Sequence, residues 1–214
     1  VVDQRGSQRW ICGFPATLSE TGIHQGQALA AAYALLPQLR ALPRQLPAER
    51  QSLLQVASWA CQLSSRVCLQ APDMVLLELS GSLRLLGEDW RQVIKQGVRD
   101  TGFAAGLAAA PTPAASRILA RAGSYRLVQS LNPLPGALRR LPLPYLELTD
   151  DVQSGLASLG VSELGELLAM PRDGLLRRYG KPLLDHLDQI QGRAAERLTA
   201  YQPPQQFEST LELA

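Results

Sequence analysis

The chain has 214 residues, of which 46% are hydrophobic and 19% are charged, and its formal net charge is +2. This length and composition allow one large domain or two modest domains with a real hydrophobic core. No apolar run approaches the roughly 18 residues that a membrane span requires, so a transmembrane protein is not expected.

The cysteines indicate a protein of a reducing compartment. Cys12, Cys61 and Cys68 are odd in number and lack the spacing of zinc ligands. Cys61 and Cys68 lie seven residues apart in a helical pattern, which predicts core thiols rather than a disulfide framework.

The N-terminal part predicts a β-hairpin, two helices and a short strand. Strand patterns at residues 1–3 and 9–12 flank a polar turn. Apolar periodicity predicts a helix over 27–36 and a long amphipathic helix over 47–66. Residues 39–42 between them fit a short strand.

The middle of the chain predicts strands framed by helices. A buried strand over 75–79 ends in a Ser-Gly turn and leads into a short apolar helix. A helix over 88–98, a strand over 103–109 and a helix over 114–122 follow. This order predicts an α+β fold with helices on one face of a sheet.

The last third of the chain predicts a small helical region. Prolines between residues 132 and 144 mark a change of pattern and a domain boundary. Residues 201–206 fit a linker, and 207–213 begin a strand. Four short helices punctuated by glycines and a proline are predicted between these points, over 151–159, 163–170, 171–179 and 181–191.

The ordered set of these segments resembles the Y-family, or lesion-bypass, DNA polymerases. Their central palm strand opens Ser-Ile-Asp-Glu and closes Leu-Asp-Leu, and residues 71–79 here read Ala-Pro-Asp-Met-Val-Leu-Leu-Glu-Leu. Residues 159–172, Leu-Gly-Val-Ser-Glu-Leu-Gly-Glu-Leu-Leu-Ala-Met-Pro-Arg, are similar to the thumb of the ImuB-type branch. That branch is the polymerase-like subunit of a bacterial damage-inducible mutagenesis complex.

The resemblance implies Y-family palm and fingers, with a ferredoxin-like sheet and helices, and then an all-helical thumb with a degenerate helix-hairpin-helix. It places the first palm strand before Val1, since the chain opens without an initiating Met and its first residues read as mid-domain strand. It implies palm and fingers over 1–140 (fingers about 1–45, palm about 46–140), thumb over 141–200, and a linker with the start of a little-finger domain over 201–214.

At individual positions, the chain lacks the catalytic groups of the Y-family. Asp73 falls on the metal-binding Asp, but Met74 falls on its Glu, and a thioether cannot replace a carboxylate at a hard divalent cation. Glu78 falls on an acidic position with another role. We therefore expect no catalytic residue, no bound metal and no cofactor, with these three residues as vestiges.

The triphosphate-binding groups are missing as well. Ala16 and Ser19 fall near the fingers' Tyr and Arg, and residues 106–111 lack the phosphate-contacting Lys. Orienting a triphosphate for in-line attack requires such fixed donors and positive charge.

Basic residues predict contacts with DNA phosphates. Eight arginines and lysines lie between residues 91 and 140 against one acid, and a second group surrounds Gly180. Solvated helix faces explain the same residues equally well. Acids at 147, 150 and 151 stand where the family's hairpin carries glycines, so weak DNA binding is expected there. The candidate DNA-binding residues are Arg117, Arg121, Arg172, Arg177, Arg178 and Lys181.

By resemblance, the chain is a non-catalytic adaptor in bacterial damage-inducible translesion synthesis, cytoplasmic and nucleoid-associated. Its implied partners are primer-template DNA bound without sequence preference, an error-prone replicative-type polymerase, a RecA-like accessory protein, and the sliding clamp through a region beyond Ala214. Two alternatives stay open. One is an active lesion-bypass polymerase using Mg²⁺, and the other is a protein-interaction module that does not bind DNA.

Overall fold

A computed structural model describes residues 1–87, 89–123, 128, 130–131 and 134–204 of the chain. It divides into two compact units, Val1–Ser52 and Leu53–Ala214. Within the described ranges, no helix is both long and apolar enough to cross a membrane.

The first unit opens with the predicted hairpin, which is confirmed. Strands β1 (Val2–Arg5) and β2 (Gln8–Ile11) pair antiparallel, with Val2 opposite Ile11. Gly6 has φ +62° in the two-residue turn, a conformation that glycine adopts without steric cost. A 3₁₀ helix (Ala16–Thr21) and helix α1 (Leu29–Leu35) follow.

The strand predicted over 39–42 does not form. Instead, Val2 makes a single parallel bridge to Pro43, in which the Val2 N–H donates to the Leu42 carbonyl at 2.8 Å. The Arg44 N–H donates back to the Val2 carbonyl at 2.8 Å. The bridge uses the backbone groups of Leu42 and Arg44, and the pairing ends there because the chain enters the next helix at Leu46.

Helix α2 (Leu46–Ala60) ends six residues before its predicted end. It is followed by strand β3 (Val67–Gln70), which the sequence analysis did not predict. The Ser64 hydroxyl accepts from the Arg66 N–H at 3.1 Å and donates to the Glu78 carbonyl at 2.5 Å. Such side-chain bonds compete with helical ones and favour a turn. Cys61 and Cys68 therefore lie in a turn and a strand, not on one helix as predicted.

Strand β4 (Met74–Leu77) pairs antiparallel with β3, with Gln70 opposite Met74 and Val67 opposite Leu77. It is half-buried along its whole length rather than buried as predicted. The strand ends at Leu77, and Glu78 then bonds to the following turn.

Helices α3 (Leu83–Leu86), α4 (Trp90–Asp100) and α5 (Pro113–Arg121) confirm the next helical predictions. The strand predicted over 103–109 is not among the named strands of the described residues. The Ala109 carbonyl accepts a backbone hydrogen bond from the Val128 N–H at 2.8 Å. The segment does pack against α5, since a Cβ at Gly106 would lie 2.9 Å from the Ala120 carbonyl oxygen.

The predicted helices of the last third are confirmed. A 3₁₀ helix (Leu143–Leu146) precedes the four of them, and Glu163, not Ser162, is the N-cap of the second. Glu166 accepts from the N–H groups of both residues. The helices of this region are α6 (Leu134–Leu138), α7 (Asp150–Ala157), α8 (Leu164–Ala169), α9 (Arg172–Tyr179) and α10 (Lys181–Ile190).

One hydrophobic core joins α5 to these helices. Ile118 and Leu119 of α5 are buried with Leu156, Leu167 and Leu187. The predicted palm and thumb regions thus share a core, and a functional division near residue 140 stays a prediction.

Replacing Gly97 with Ala should destabilise the protein by about 1–3 kcal/mol, the usual cost of overpacking. A Cβ at this position of α4 would overlap the indole ring of Trp59 on α2, which is rigid. Gly174→Ala is the matched control, because Gly174 is also helical and a Cβ there meets nothing within 4 Å. The control should stabilise by about 0.5–1 kcal/mol in urea unfolding. Equal effects of the two changes would contradict the packing of Trp59 on α4.

Candidate functional site

The turn between β3 and β4 carries the single acidic residue of the candidate palm site. Asp73 lies in this turn, and 65% of its side chain is exposed. Met74 is the first residue of β4, directly after it. The hairpin therefore presents one carboxylate and one thioether at the two positions where the Y-family pattern has its metal-binding Asp and Glu.

Glu78 serves the turn after β4. Its carboxylate accepts from the backbone N–H of Ser80 at 2.7 Å and from the Ser80 hydroxyl. These bonds, the hydroxyl's first among them, lower the pKa of the Glu78 carboxyl. This carboxylate thus fixes the turn into α3.

A guanidinium lies beside the palm carboxylate. Arg121, the last residue of α5, places Nη2 3.3 Å from Asp73 Oδ1 and 3.0 Å from Glu147 Oε1. One cationic group thus bridges the β3–β4 turn and the segment before α7. Arg121 was predicted to contact DNA phosphate, and the structure places two carboxylates on it instead.

Arg117, one turn earlier on α5, is buried, with 5% of the residue exposed. Its Nη1 lies 2.7 Å from Glu196 Oε1, and its Nε lies 3.6 Å from Glu147 Oε2. The expectation that Arg117 binds DNA does not fit this position, because a phosphate cannot reach a buried group that is already paired. Its charge is needed inside the protein.

Glu147 connects the two arginines. It follows the 3₁₀ helix in the left-handed conformation, with φ +58°, at the hairpin where the resemblance expects glycine. Non-glycine residues adopt this conformation rarely. Two ion pairs, to Arg117 and Arg121, hold the side chain, so this hairpin presents an engaged acid rather than an open anion-binding turn.

These residues do not fit a two-metal centre of the kind polymerases use. Such a centre needs several carboxylates to hold two ions about 3.5–4 Å apart. Here Asp73 is paired with Arg121 and its neighbour Met74 offers sulfur, a poor ligand for Mg²⁺. Across the described ranges there is no group of three or more His, Cys, Asp or Glu side chains placed to hold a metal ion.

The second group of candidate residues surrounds Gly180, between α9 and α10. Arg177, Arg178 and Lys181 are exposed there, and we call these three residues the basic turn. Arg178 also lies over the ring of Tyr179, 5.5 Å from its centroid. In the part of the chain that the structure describes, no carboxylate forms an ion pair with the basic turn.

Arg172 differs from the residues of the basic turn because its guanidinium is already paired with a carboxylate. Its two terminal nitrogens donate to the two oxygens of Asp188 at 2.9 and 2.8 Å, and Arg193 donates to the same carboxylate at 2.8 Å. A bidentate pair of this geometry is among the stronger ones. Asp188 lies 16 residues away on another helix, so no local spacing could have revealed it.

Comparison with known proteins identifies the family. The model of the impB/mucB/samB family matches residues 1–121, more than half of the chain. The chain belongs to this family. Two relatives named Protein ImuB, from the NA1000 and CB 15 strains of Caulobacter vibrioides, are 31% identical over 184 residues, which is 85% of this chain. The chain spans 40% of the length of these relatives.

Solved Y-family polymerases share the fold of this family member. DinB from Sulfolobus solfataricus matches with a TM-score of 0.73 at 15% identity, over 93% of this chain and 61% of that one. Dbh DNA polymerase in an insertion ternary complex matches with a TM-score of 0.73 at 16% identity, over 92% and 60% of the two chains. The predicted Y-family α+β fold is thereby confirmed, while the thumb assignment stays a prediction.

At the two positions that the resemblance assigns to the fingers, Ala16 and Ser19, the structure describes the backbone. Ala16 and Ser19 lie in the 3₁₀ helix Ala16–Thr21, and their side chains fall outside the described part. Their role toward a triphosphate stays a prediction.

Replacing Asp188 with Asn should lower stability at pH 7 by up to about 1 kcal/mol, a modest loss because the pair is partly exposed. The hydrogen bond from Arg172 lowers the pKa of the Asp188 carboxyl in the folded state. The stabilisation from the Arg172–Asp188 pair is therefore complete above a pH of about 3.9, the pKa of the carboxyl in the unfolded state. It is lost as the pH falls through the lower pKa of the folded state.

The measurement is urea unfolding at pH 7 and at successively lower pH. Asp185→Asn is the matched control, because Asp185 is exposed on the same helix and pairs with no arginine among the described residues. The difference between the two variants should shrink in acid. A difference that persists unchanged below pH 2 would show that the Arg172–Asp188 pair does not contribute.

Proposed function

We propose that this chain is a non-catalytic, polymerase-shaped module that holds DNA in damage-induced translesion synthesis. The fold supports a surface shaped for a primer-template, and the chemistry of the palm turn opposes nucleotide transfer. The observation that carries the proposal is the Asp73–Arg121 pair beside Met74.

Nucleotide transfer requires metal ions to neutralise charge on the phosphates and to activate the attacking oxygen. In this chain the palm carboxylate is already paired with a cation, since Arg121 Nη2 lies 3.3 Å from Asp73 Oδ1, and a metal ion would have to compete with that pair. Glu78, the next acid along the hairpin, is bonded to Ser80. The Y-family shape is thus retained around a turn whose charges are satisfied internally.

The basic turn supports DNA binding without sequence preference. Arg177, Arg178 and Lys181 are exposed, and Lys181 begins a helix, where backbone N–H groups add to the attraction for anions. Contacts of this kind reach phosphates and carry no base information. Of the six residues expected from the sequence, these three are the ones we retain as primary phosphate contacts.

The partners we propose follow from the relation to ImuB and from the palm turn, where Asp73 and Met74 do not fit a two-metal centre. A module that holds DNA but does not extend it needs a second enzyme, and we propose an error-prone replicative-type polymerase. We also propose a RecA-like accessory protein and the sliding clamp as partners of the whole protein. The described surfaces do not distinguish where each of them docks.

Primer extension tests the catalytic part of the proposal. The full chain should incorporate no nucleotide on a primer-template in Mg²⁺ or in Mn²⁺, because Asp73 and Met74 do not supply the ligands of a two-metal centre. The assay is run at a salt concentration where fluorescence anisotropy shows the complex, with an active polymerase as positive control. Incorporation that disappears in Asp73→Ala would make this chain an enzyme and end the adaptor proposal.

Salt-dependent DNA binding tests the basic turn. The double variant Arg177→Ala, Arg178→Ala should flatten the slope of log affinity against log salt by up to about 1.8, twice the roughly 0.9 expected per phosphate contact. The matched control is Arg50→Ala, Arg84→Ala, which removes the same charge from exposed positions outside the basic turn.

The control should keep most of the wild-type slope. Equal slopes for wild type and the Arg177, Arg178 variant would remove the basic turn from the interface. If the wild type does not bind DNA at about 50 mM salt, where electrostatic binding is strong, the chain is a protein-interaction module instead.

A further inference from the structure

Residues 193–201 leave the end of α10 and are bonded at both ends although they form no helix or strand. We call them the strap. At its start, the Arg193 N–H donates to the Asp188 carbonyl at 2.8 Å, and the Ala194 N–H donates to the same oxygen at 3.2 Å. These bonds turn the chain sharply after Gly192, whose φ is +74°.

The middle of the strap has a buried anchor. Glu196 is mostly buried, and its Oε1 lies 2.7 Å from Arg117 Nη1, which is also buried. Separating two such charges without water would leave both uncompensated, a cost of several kcal/mol. The strap is therefore attached to α5 by an ion pair at this point.

The tip of the strap is Tyr201, which contacts the β3–β4 hairpin and α2. Its N–H donates to the Val67 carbonyl at 2.6 Å, and its hydroxyl lies 3.0 Å from Ser58 Oγ. Its ring packs against the cluster of Ala57, Ala60 and Val67. The tip thus combines one backbone bond, one hydroxyl contact and apolar packing.

The backbone bond uses the outer edge of β3. Successive carbonyls of a strand point to opposite sides, and the Arg66 carbonyl accepts from the Glu78 N–H on the β4 side at 3.0 Å. The Val67 carbonyl therefore faces the other edge, where Tyr201 donates to it. An open strand edge is a template for pairing with further backbone, and the strap begins to cover it.

Pro203 limits this pairing. In a strand, the residue two positions after Tyr201 would make the next backbone bond on the same side, and that residue is Pro203, which has no N–H. Pro204 after it cannot donate either. Among the described residues, the backbone attachment of the strap to β3 is the single bond from Tyr201.

We propose that the strap is a releasable latch with a permanent anchor at Glu196 and an opening tip at Tyr201. Closed, it covers the outer edge of β3 and fixes the direction in which the chain leaves the helical region. Open, it frees that edge while Glu196 keeps the start of the strap on Arg117. Pro203 keeps the tip weak enough to open.

Trypsin cleavage after Arg197 tests the latch, because Arg197 is exposed between the anchor and the tip. In the full chain, Tyr201→Ala should speed cleavage at Arg197 at least about fivefold, the change expected when a bond and a packed ring are lost and cleavage follows the open population. Cleavage at Arg177 and Arg178 within α9, followed by mass spectrometry in the same digest, reports on general unfolding.

A second variant keeps the test decisive if Tyr201→Ala unfolds the protein. Pro203→Ala supplies an N–H that can donate to the outer edge of β3, so under the latch proposal it should slow cleavage at Arg197 about fivefold, the effect of one added backbone bond. Tyr201→Phe retains the ring and should stay closer to wild type than Tyr201→Ala. Wild-type cleavage rates at Arg197 in both Tyr201→Ala and Pro203→Ala would overturn the latch, as would an unchanged rate in Pro203→Ala when Tyr201→Ala is unfolded.

Discussion

The buried guanidinium of Arg117 is the constraint on which the helical part of this structure depends. A charge inside a protein must be paired, and here the partners come from two distant segments, Glu147 before α7 and Glu196 in the strap. Pairing therefore draws the hairpin segment and the strap onto α5. The apolar face of the same helix, with Ile118 and Leu119, packs into the main core. Helix α5 thus carries both the buried ion pairs and part of the core.

Arg121, one helical turn further, extends the same network to the palm-like turn. The spacing of four residues places both arginines on one side of α5, and Glu147 contacts each of them. Asp73 is thereby paired with the protein's own cation rather than left open to a metal ion. A member of the impB/mucB/samB family can thus keep a Y-family fold while the charge of its palm turn is satisfied internally.

Helices and the N-terminal hairpin were predictable because their signals are local. Thr112 and Pro113 open α5, Gly180 ends α9, and a two-residue turn with Gly6 closes the hairpin. Strand β3 and the end of α2 were not predictable. A strand of four residues carries little periodicity, and the turn after α2 depends on the bond from Ser64 to Glu78, a residue distant in the sequence. The segment 103–109 has the apolar pattern of a strand, but among the described residues it packs on α5 and is not a regular strand, which its own residues do not determine.

The sequence by itself determined the fold class, the family resemblance, and the loss of a carboxylate at Met74, because residue identity alone decides whether a side chain can bind Mg²⁺. Which arginines are paired inside the protein was decided only by tertiary structure. Arg117, Arg121, Arg172 and Arg177 are the same residue type at similar helical spacing, and three of them are paired with acids from 16 to 79 residues away. Such pairing is fixed when helices pack together, and no local pattern records it.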